Sequence, residues 1–287
     1  MERIQRALEI ARSQRAAATA VGAELQADAR MLPARPAPHT DVPASPVPAA
    51  SAVMTQPSPA ARVVSLDRAA LRERRVVLAD DPGPAAHAYR MLRTQLLRQL
   101  RAHKMRLIGV VSAVEGEGKT LTAANLALSI AAEPNQTALL VDLDLRQPST
   151  AHLLGTTGHG LESWFDGTIT DLSRLMVRFD TLERLLVLPT QRGVDGSSEV
   201  LAGPRARELL QELRDRYNDC VAILDLPPVL LADDVLTIAP LLDGVLLVVS
   251  EGRTKREDVL RVRELLQGVH VLGTVLNISG ESEQRGY

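Results

Sequence analysis

From Leu107 to Ile278 the chain alternates between short runs of β-branched and aliphatic residues and longer stretches whose apolar positions recur every three or four residues. The runs "RLIGVVSA" (106–113), "TALLVDLD" (137–144), "RLLVLPT" (184–190), "CVAILDL" (220–226), "GVLLVVS" (244–250) and "VLGTVLNI" (271–278) are predicted strands. Between them, "TLTAANLALSIAA", "GPRARELLQELRDRY", "ADDVLTIAPLL" and "REDVLRVRELLQGV" are predicted helices. Strands alternating with helices predict an α/β fold with a mostly parallel sheet flanked by helices. Ligands of such sheets sit beyond the carboxyl ends of the strands, so the residues just after each run come first as site candidates.

Upstream the pattern changes. Ile4, Leu8 and Ile10 fall among charges and alanines at roughly helical spacing, whereas 31–59 is rich in Pro, Ala and Ser without periodicity and cannot bury enough apolar surface to offset its ordering entropy. The predicted organisation is a helix over 1–26, a disordered linker over 27–62, a nucleotide-binding domain over 63–280 and a flexible tail over 281–287 ending in Tyr287.

Composition narrows the function classes. In 287 residues, 45% hydrophobic, there is material for one large core, and a net charge of −2 provides no general field for nucleic acid. The one cysteine, Cys220, opens a predicted strand and reads as a packing residue in a reducing compartment. The charged N-terminus lacks the apolar core of a secretory signal, and no apolar run reaches the roughly 18 to 20 residues that span a bilayer. A cytoplasmic protein without direct transmembrane insertion is expected.

The chemistry-bearing residues cluster at strand ends. "GEGKT" follows an apolar strand and opens an alanine-rich helix, the context of a phosphate-binding loop. Gly116 and Gly118 let backbone N–H groups turn inward, with Glu117 between them; Lys119 would reach the β- and γ-phosphates, Thr120 would ligate Mg²⁺, and Leu121 begins the helix beside the nucleotide. The loop's first position, usually Gly, is Ala113, which the junction tolerates if φ stays negative. Asp142 and Asp144 end one run two residues apart, and Asp225 ends another in the position of an acid that holds Mg²⁺. Pro227 and Pro228 then force the chain out of the sheet.

"SAVEGEGKT", "LLVDLDLRQP" and "AILDLPP", in this order, resemble the bacterial tyrosine kinases of exopolysaccharide and capsule synthesis, which share ancestry with the Min and Par ATPases. The likeness runs from about Tyr89 to Ile278 and includes "AYRMLRTQL", "SSEVLAGPRARELLQELRDRY" and the D-x-D-x-R of Asp142, Asp144 and Arg146; the "MERIQRALE" start is similar to the cytoplasmic CpsD-like autokinases encoded beside exosortase loci. The resemblance implies an ATP- and Mg²⁺-dependent protein-tyrosine autokinase in which Asp142 assists deprotonation of the phenol while Thr120, Asp144 and Asp225 organise the metal. It implies a homo-oligomer and a membrane chain-length-determinant (Wzz-like) activator that holds the protein at the inner membrane. Asn277 stands where relatives contact adenine, or caps a turn. The family's Glu-x-x-Arg-x-x-Arg ring segment reads His87, Arg90 and Arg93 here, leaving the two arginines as candidates for a subunit contact. Of three tyrosines, Tyr89 and Tyr217 fall in predicted helices, and Tyr287 is the candidate phosphoacceptor. Val114 replaces the lysine of the partitioning ATPases and argues against that alternative; an ATP-binding scaffold without phosphotransfer is the other.

Overall fold

The computed structural model describes residues 61–278, so the predicted N-terminal helix, nearly all of the linker and the tail lie outside the described residues. The chain enters through a short strand, β1 (Arg62–Val64), which takes the last residue of the predicted linker into the sheet, and a helix, α1 (Arg68–Glu73), capped by the Asp67 carboxylate. Helix α2 (Pro84–His103) starts at a proline, which supplies a helical φ where no N–H is needed, and buries Leu96, Leu97 and Leu100 on one stripe. There follow β2 (Leu107–Ser112), α3 (Lys119–Ala131), β3 (Thr137–Asp142), α4 (Thr150–Leu154), α5 (Glu162–Phe165), β4 (Val177–Phe179), β5 (Leu182–Leu188), α6 (Ser197–Ala202) and α7 (Pro204–Arg216). The last third holds β6 (Cys220–Asp225), α8 (Asp234–Ile238), β7 (Gly244–Ser250), α9 (Arg256–Leu265) and β8 (Val271–Asn277).

The eight strands form one sheet in the order β1-β4-β5-β3-β6-β2-β7-β8. Every pairing is parallel except β4 with β5. β2 and β6 are buried along their whole length, because helices cover both faces of a parallel sheet. Alternation along β2 feeds two core layers: Leu107 and Val111 face a layer completed by Leu209 and Leu213 of α7, and Ile108 and Val110 face one completed by α2 and α3.

Three boundaries depart from the expected ones for local reasons. β3 stops at Asp142 rather than Asp144: the Asp144 N–H turns back to the Asp142 carboxylate, and the Leu143 N–H donates to the Asp225 carbonyl. β5 ends at Leu188 because Pro189 has no N–H to continue a ladder. The predicted helix over "ADDVLTIAPLL" ends at Ile238 and gives way to a 3₁₀ turn, Ala239–Leu241, at Pro240. Cys220 opens β6, and burial pushes its thiol up to about 12. Tyr217 is buried at the end of α7.

Register sets the site. Asp142 and Asp225 are direct neighbours across β3 and β6, and Asp225 lies opposite Val110 of β2, so two carboxylates and the loop leaving β2 meet at one carboxyl edge.

Candidate active site

The loop between β2 and α3 holds Gly116 and Gly118 at φ of 73° and 84°, a region open to glycine. Ala113 is fully buried and is not among the left-handed residues, which is why the missing first glycine is tolerated. No side chain caps the start of α3, so the first-turn N–H groups and the positive end of the helix dipole are available to an anion.

Behind the loop, Lys119 Nζ lies 2.6 Å from Asp144 and 3.5 Å from Asp225, and Thr120 Oγ1 donates to Asp225 Oδ2 at 2.6 Å. Burial works against the Lys119 charge, but Asp225 and Asp144 outweigh it and raise its pKa. Burial lifts the Asp225 carboxyl above the usual range against the pull of Lys119 and Thr120. Burial, with the Asp225 charge beside it, pushes Asp142 up to about 8. Asp142 is fully buried, and its oxygens accept the backbone N–H groups of Asp144, Ser149 and Thr150, so it also pins the segment that follows β3.

Arg146, two residues beyond Asp144, is fixed by partners that pattern reading did not single out. Its Nε and Nη2 donate to Asp234 at 3.2 and 3.0 Å, and Nη2 also reaches Asp233 and the Ser198 hydroxyl. Ser197 and Ser198 in turn donate to Asp234. Burial pushes the Asp234 carboxyl up, yet Arg146 and the two hydroxyls outweigh it and hold it below the ordinary carboxylate range. The available signal was the Asp233–Asp234 pair shortly after "DLPP", which reads as a helix start until Arg146 is placed beside it.

The chain that carries this site is similar to known proteins. The family described as "ParA: NUBPL iron-transfer P-loop NTPase" matches residues 104–285. The tyrosine-protein kinase CpsD of Streptococcus pneumoniae is 31% identical over 184 residues, covering 62% of this chain and 78% of the relative. The crystal structure of the VpsO kinase domain superposes with a TM-score of 0.59 at 30% identity, covering 67% of this chain and 93% of that domain. The chain belongs to the bacterial tyrosine kinases of the ParA-type P-loop NTPase family. A longer relative, the succinoglycan biosynthesis transport protein ExoP of Rhizobium meliloti, is 30% identical over 229 residues, 74% of this chain and 27% of ExoP.

In this kinase the loop also borders a cavity. A cavity of about 590 Å³ opens beside Leu121 and Asn277 and is walled by Val77, Tyr89 and Asn125. Asn277 closes β8, and its Nδ2 donates to the Glu117 carbonyl at 2.9 Å; it therefore braces the loop in addition to facing the cavity. Glu117 contributes backbone to the loop, while its side chain is fully buried on the loop's outer side.

The arginines expected at a subunit contact are engaged within the chain. Arg90 donates to the Ala79 carbonyl at 3.0 Å, and Arg93 donates to the Ser129 carbonyl and pairs with Glu133 at 2.6 Å. Both arginines are therefore held against the α1–α2 connection and α3 within the chain, each half-buried, and a subunit contact through them remains an expectation. Tyr287 lies outside the described residues.

Proposed function

We propose that the kinase transfers the γ-phosphoryl group of ATP to tyrosine, with Tyr287 of a neighbouring copy as an acceptor, within machinery that makes or exports a polysaccharide. The observation that carries this reading is the convergence of Asp144 and Asp225 on Lys119 at the mouth of the phosphate loop, with Asp142 beside Asp225 across the sheet. Names of relatives support the setting, since ExoP is a succinoglycan transport protein. A membrane protein of the chain-length-determinant kind would supply the anchor and the activating contact; among the described residues no helix is long and apolar enough to cross a membrane.

In this reading the triphosphate lies along the loop N–H groups, and Lys119 turns from the carboxylates to the β- and γ-oxygens. The nucleoside extends past Leu121 toward the cavity, where the side-chain carbonyl of Asn277 faces the base. The residues fit Mg²⁺: Asp225 Oδ1 is buried with no hydrogen bond and only the Lys119 ammonium near it, at 3.5 Å, and Thr120 Oγ1 sits on the companion oxygen, an all-oxygen set suited to a hard cation. Thr120, Asp144 and Asp225 would hold the metal, which when bound neutralises charge on the phosphate oxygens. Asp142, with a pKa near 8, matches a phenol better than an ordinary carboxylate does, and its oxygens keep lone pairs beyond the backbone bonds. The tyrosine oxygen bonds to the γ-phosphorus as the bond to the β-bridging oxygen breaks, and the phenol proton passes to the carboxylate. The family description mentions iron transfer, but Cys220, the only cysteine, is buried at the start of β6 and cannot assemble a thiolate cluster.

The test uses the full chain with γ-labelled ATP and Mg²⁺, with and without the cytoplasmic part of the candidate activator. Asp225→Asn is expected to reduce phosphotyrosine about a hundredfold. Tyr287→Phe is expected to remove most of the label. Full labelling of Tyr287→Phe would move the acceptor elsewhere, and ATP binding without phosphotyrosine under every condition would leave a nucleotide-dependent scaffold in place of the autokinase.

A further inference from the structure

The phosphate loop is braced from outside by the turn that follows β7. When the loop's N–H groups converge on a phosphate, its carbonyls point away and need donors of their own. Here the Gly116 carbonyl accepts from Arg253 Nη1 at 2.7 Å, and the Glu117 carbonyl accepts from Asn277 Nδ2. The Glu117 side chain is fully buried, a rare state for a carboxylate unless it is partnered. It accepts the Val114 N–H at 3.0 Å, which cross-ties the loop, and the hydroxyl of Thr254, which ties the loop to the turn. Thr254 Oγ1 is itself positioned by the Ser250 N–H at 2.7 Å. Because Ser112, the last residue of β2, pairs with Val248 of β7, the turn and the loop leave adjacent strands in fixed register. The fit is close: a Cβ added at Gly116 or Gly118 would stand 2.1 Å from Arg253 Nη1 or Asn277 Nδ2.

We propose that the β7–α9 turn acts as a buckle on the phosphate loop, with Glu117, Thr254 and Arg253 as positioning residues that hold the loop in its nucleotide-ready shape before nucleotide arrives. The proposal rests on the nucleotide-site reading above and adds the source of the loop's preorganisation. A loop that must order itself on binding loses affinity. Loss of the buckle should therefore appear in nucleotide affinity and in KM for ATP more than in kcat.

The experiment measures the affinity of a fluorescent ADP analogue with Mg²⁺, KM and kcat for ATP, and the melting temperature of the nucleotide-free full chain. Thr254→Val keeps the shape and removes the hydroxyl; it is expected to weaken ADP binding about tenfold and raise KM similarly, with kcat within about twofold, since a buried charged partner loses its donor. Thr254→Ser restores the hydroxyl and should restore affinity. Arg253→Ala, on the exposed side of the turn, is expected to weaken binding severalfold and keeps the test open if the Thr254 variant folds poorly. Unchanged affinity in both Thr254→Val and Arg253→Ala overturns the proposal, as does a lowered melting temperature with unchanged affinity, which would mark these contacts as serving the fold alone. Lys119→Met separates the two layers: if it binds ADP like the wild type, the nucleotide site itself is misassigned, whereas loss in Lys119→Met with none in the turn variants removes only the buckle.

Discussion

Lys119→Met is expected to lower phosphotyrosine formation by about a thousandfold. The ammonium is the cation placed at the mouth of the loop where charge moves during transfer, and methionine keeps the length of the side chain without the charge. The substitution acts on the resting protein too. Lys119 is nearly buried between Asp144 and Asp225, and removing it leaves these two carboxylates without their counter-charge. Breaking a buried pair in this way costs about 3 kcal/mol. The cost should ease as pH falls, because Asp142 and Asp225, whose pKa values are already raised, take up protons more readily once the lysine is gone. Anti-phosphotyrosine detection with thermal melts at pH 8 and pH 6 reads both effects. Wild-type labelling by a folded Lys119→Met protein would remove Lys119 from the reaction.

Asp234→Ala is expected to destabilise the fold by about 1 to 2 kcal/mol, a fall of roughly 3 to 7 °C in melting temperature for a domain of this size, because half-exposed Arg146 is screened by solvent and keeps Asp233. Asp234 is fully buried and receives Arg146 twice and two serine hydroxyls, so truncation leaves a buried gap and the buried Ser197 hydroxyl without its acceptor, while Arg146 and Ser198 keep Asp233. The sign of the pH effect follows from the depressed pKa. The folded carboxyl titrates below the ordinary aspartate value, so its contribution is present above about pH 4 and is lost as pH falls through the folded pKa. The gap between wild type and variant should narrow in melts at pH 3.5 relative to pH 7. An equal gap at both values would assign the loss to the cavity instead of the charge. Because Arg146 lies two residues from Asp144, the same variant should also lower kinase activity by loosening the segment after β3.

Much of the frame was readable from local pattern. The runs that became β2, β3, β6 and β7 are apolar through their interiors and polar only at their ends, and a strand buried on both faces carries that signature whatever its neighbours. β1 and β4 were not readable: each has three residues, too few for periodicity, and each exists because the sheet edge offers it a partner. The short helices α4, α5 and α6 likewise have four to six residues and are held by tertiary contacts more than by propensity. In the site, Gly116, Gly118, Lys119 and Thr120 were legible because a phosphate loop is contiguous, and the aspartates because strand ends are where such sheets hold ligands.

The polar partners were not legible, because a side chain's hydrogen-bonding fate depends on what the fold brings to it. Arg146 meets Asp234 across 88 residues and Glu117 meets Thr254 across 137, distances over which no periodicity runs. Nothing local to Arg90 and Arg93 announces that they donate to the Ala79 and Ser129 carbonyls, 11 and 36 residues away. By itself the sequence determined the alternation of strand and helix, the phosphate loop and the acids at the strand ends, since each arises from backbone geometry within one or two elements. The tertiary structure alone decided which carboxylates share Lys119, what locks Arg146 and what braces the loop, because those choices follow from the order and register in which distant strands pair.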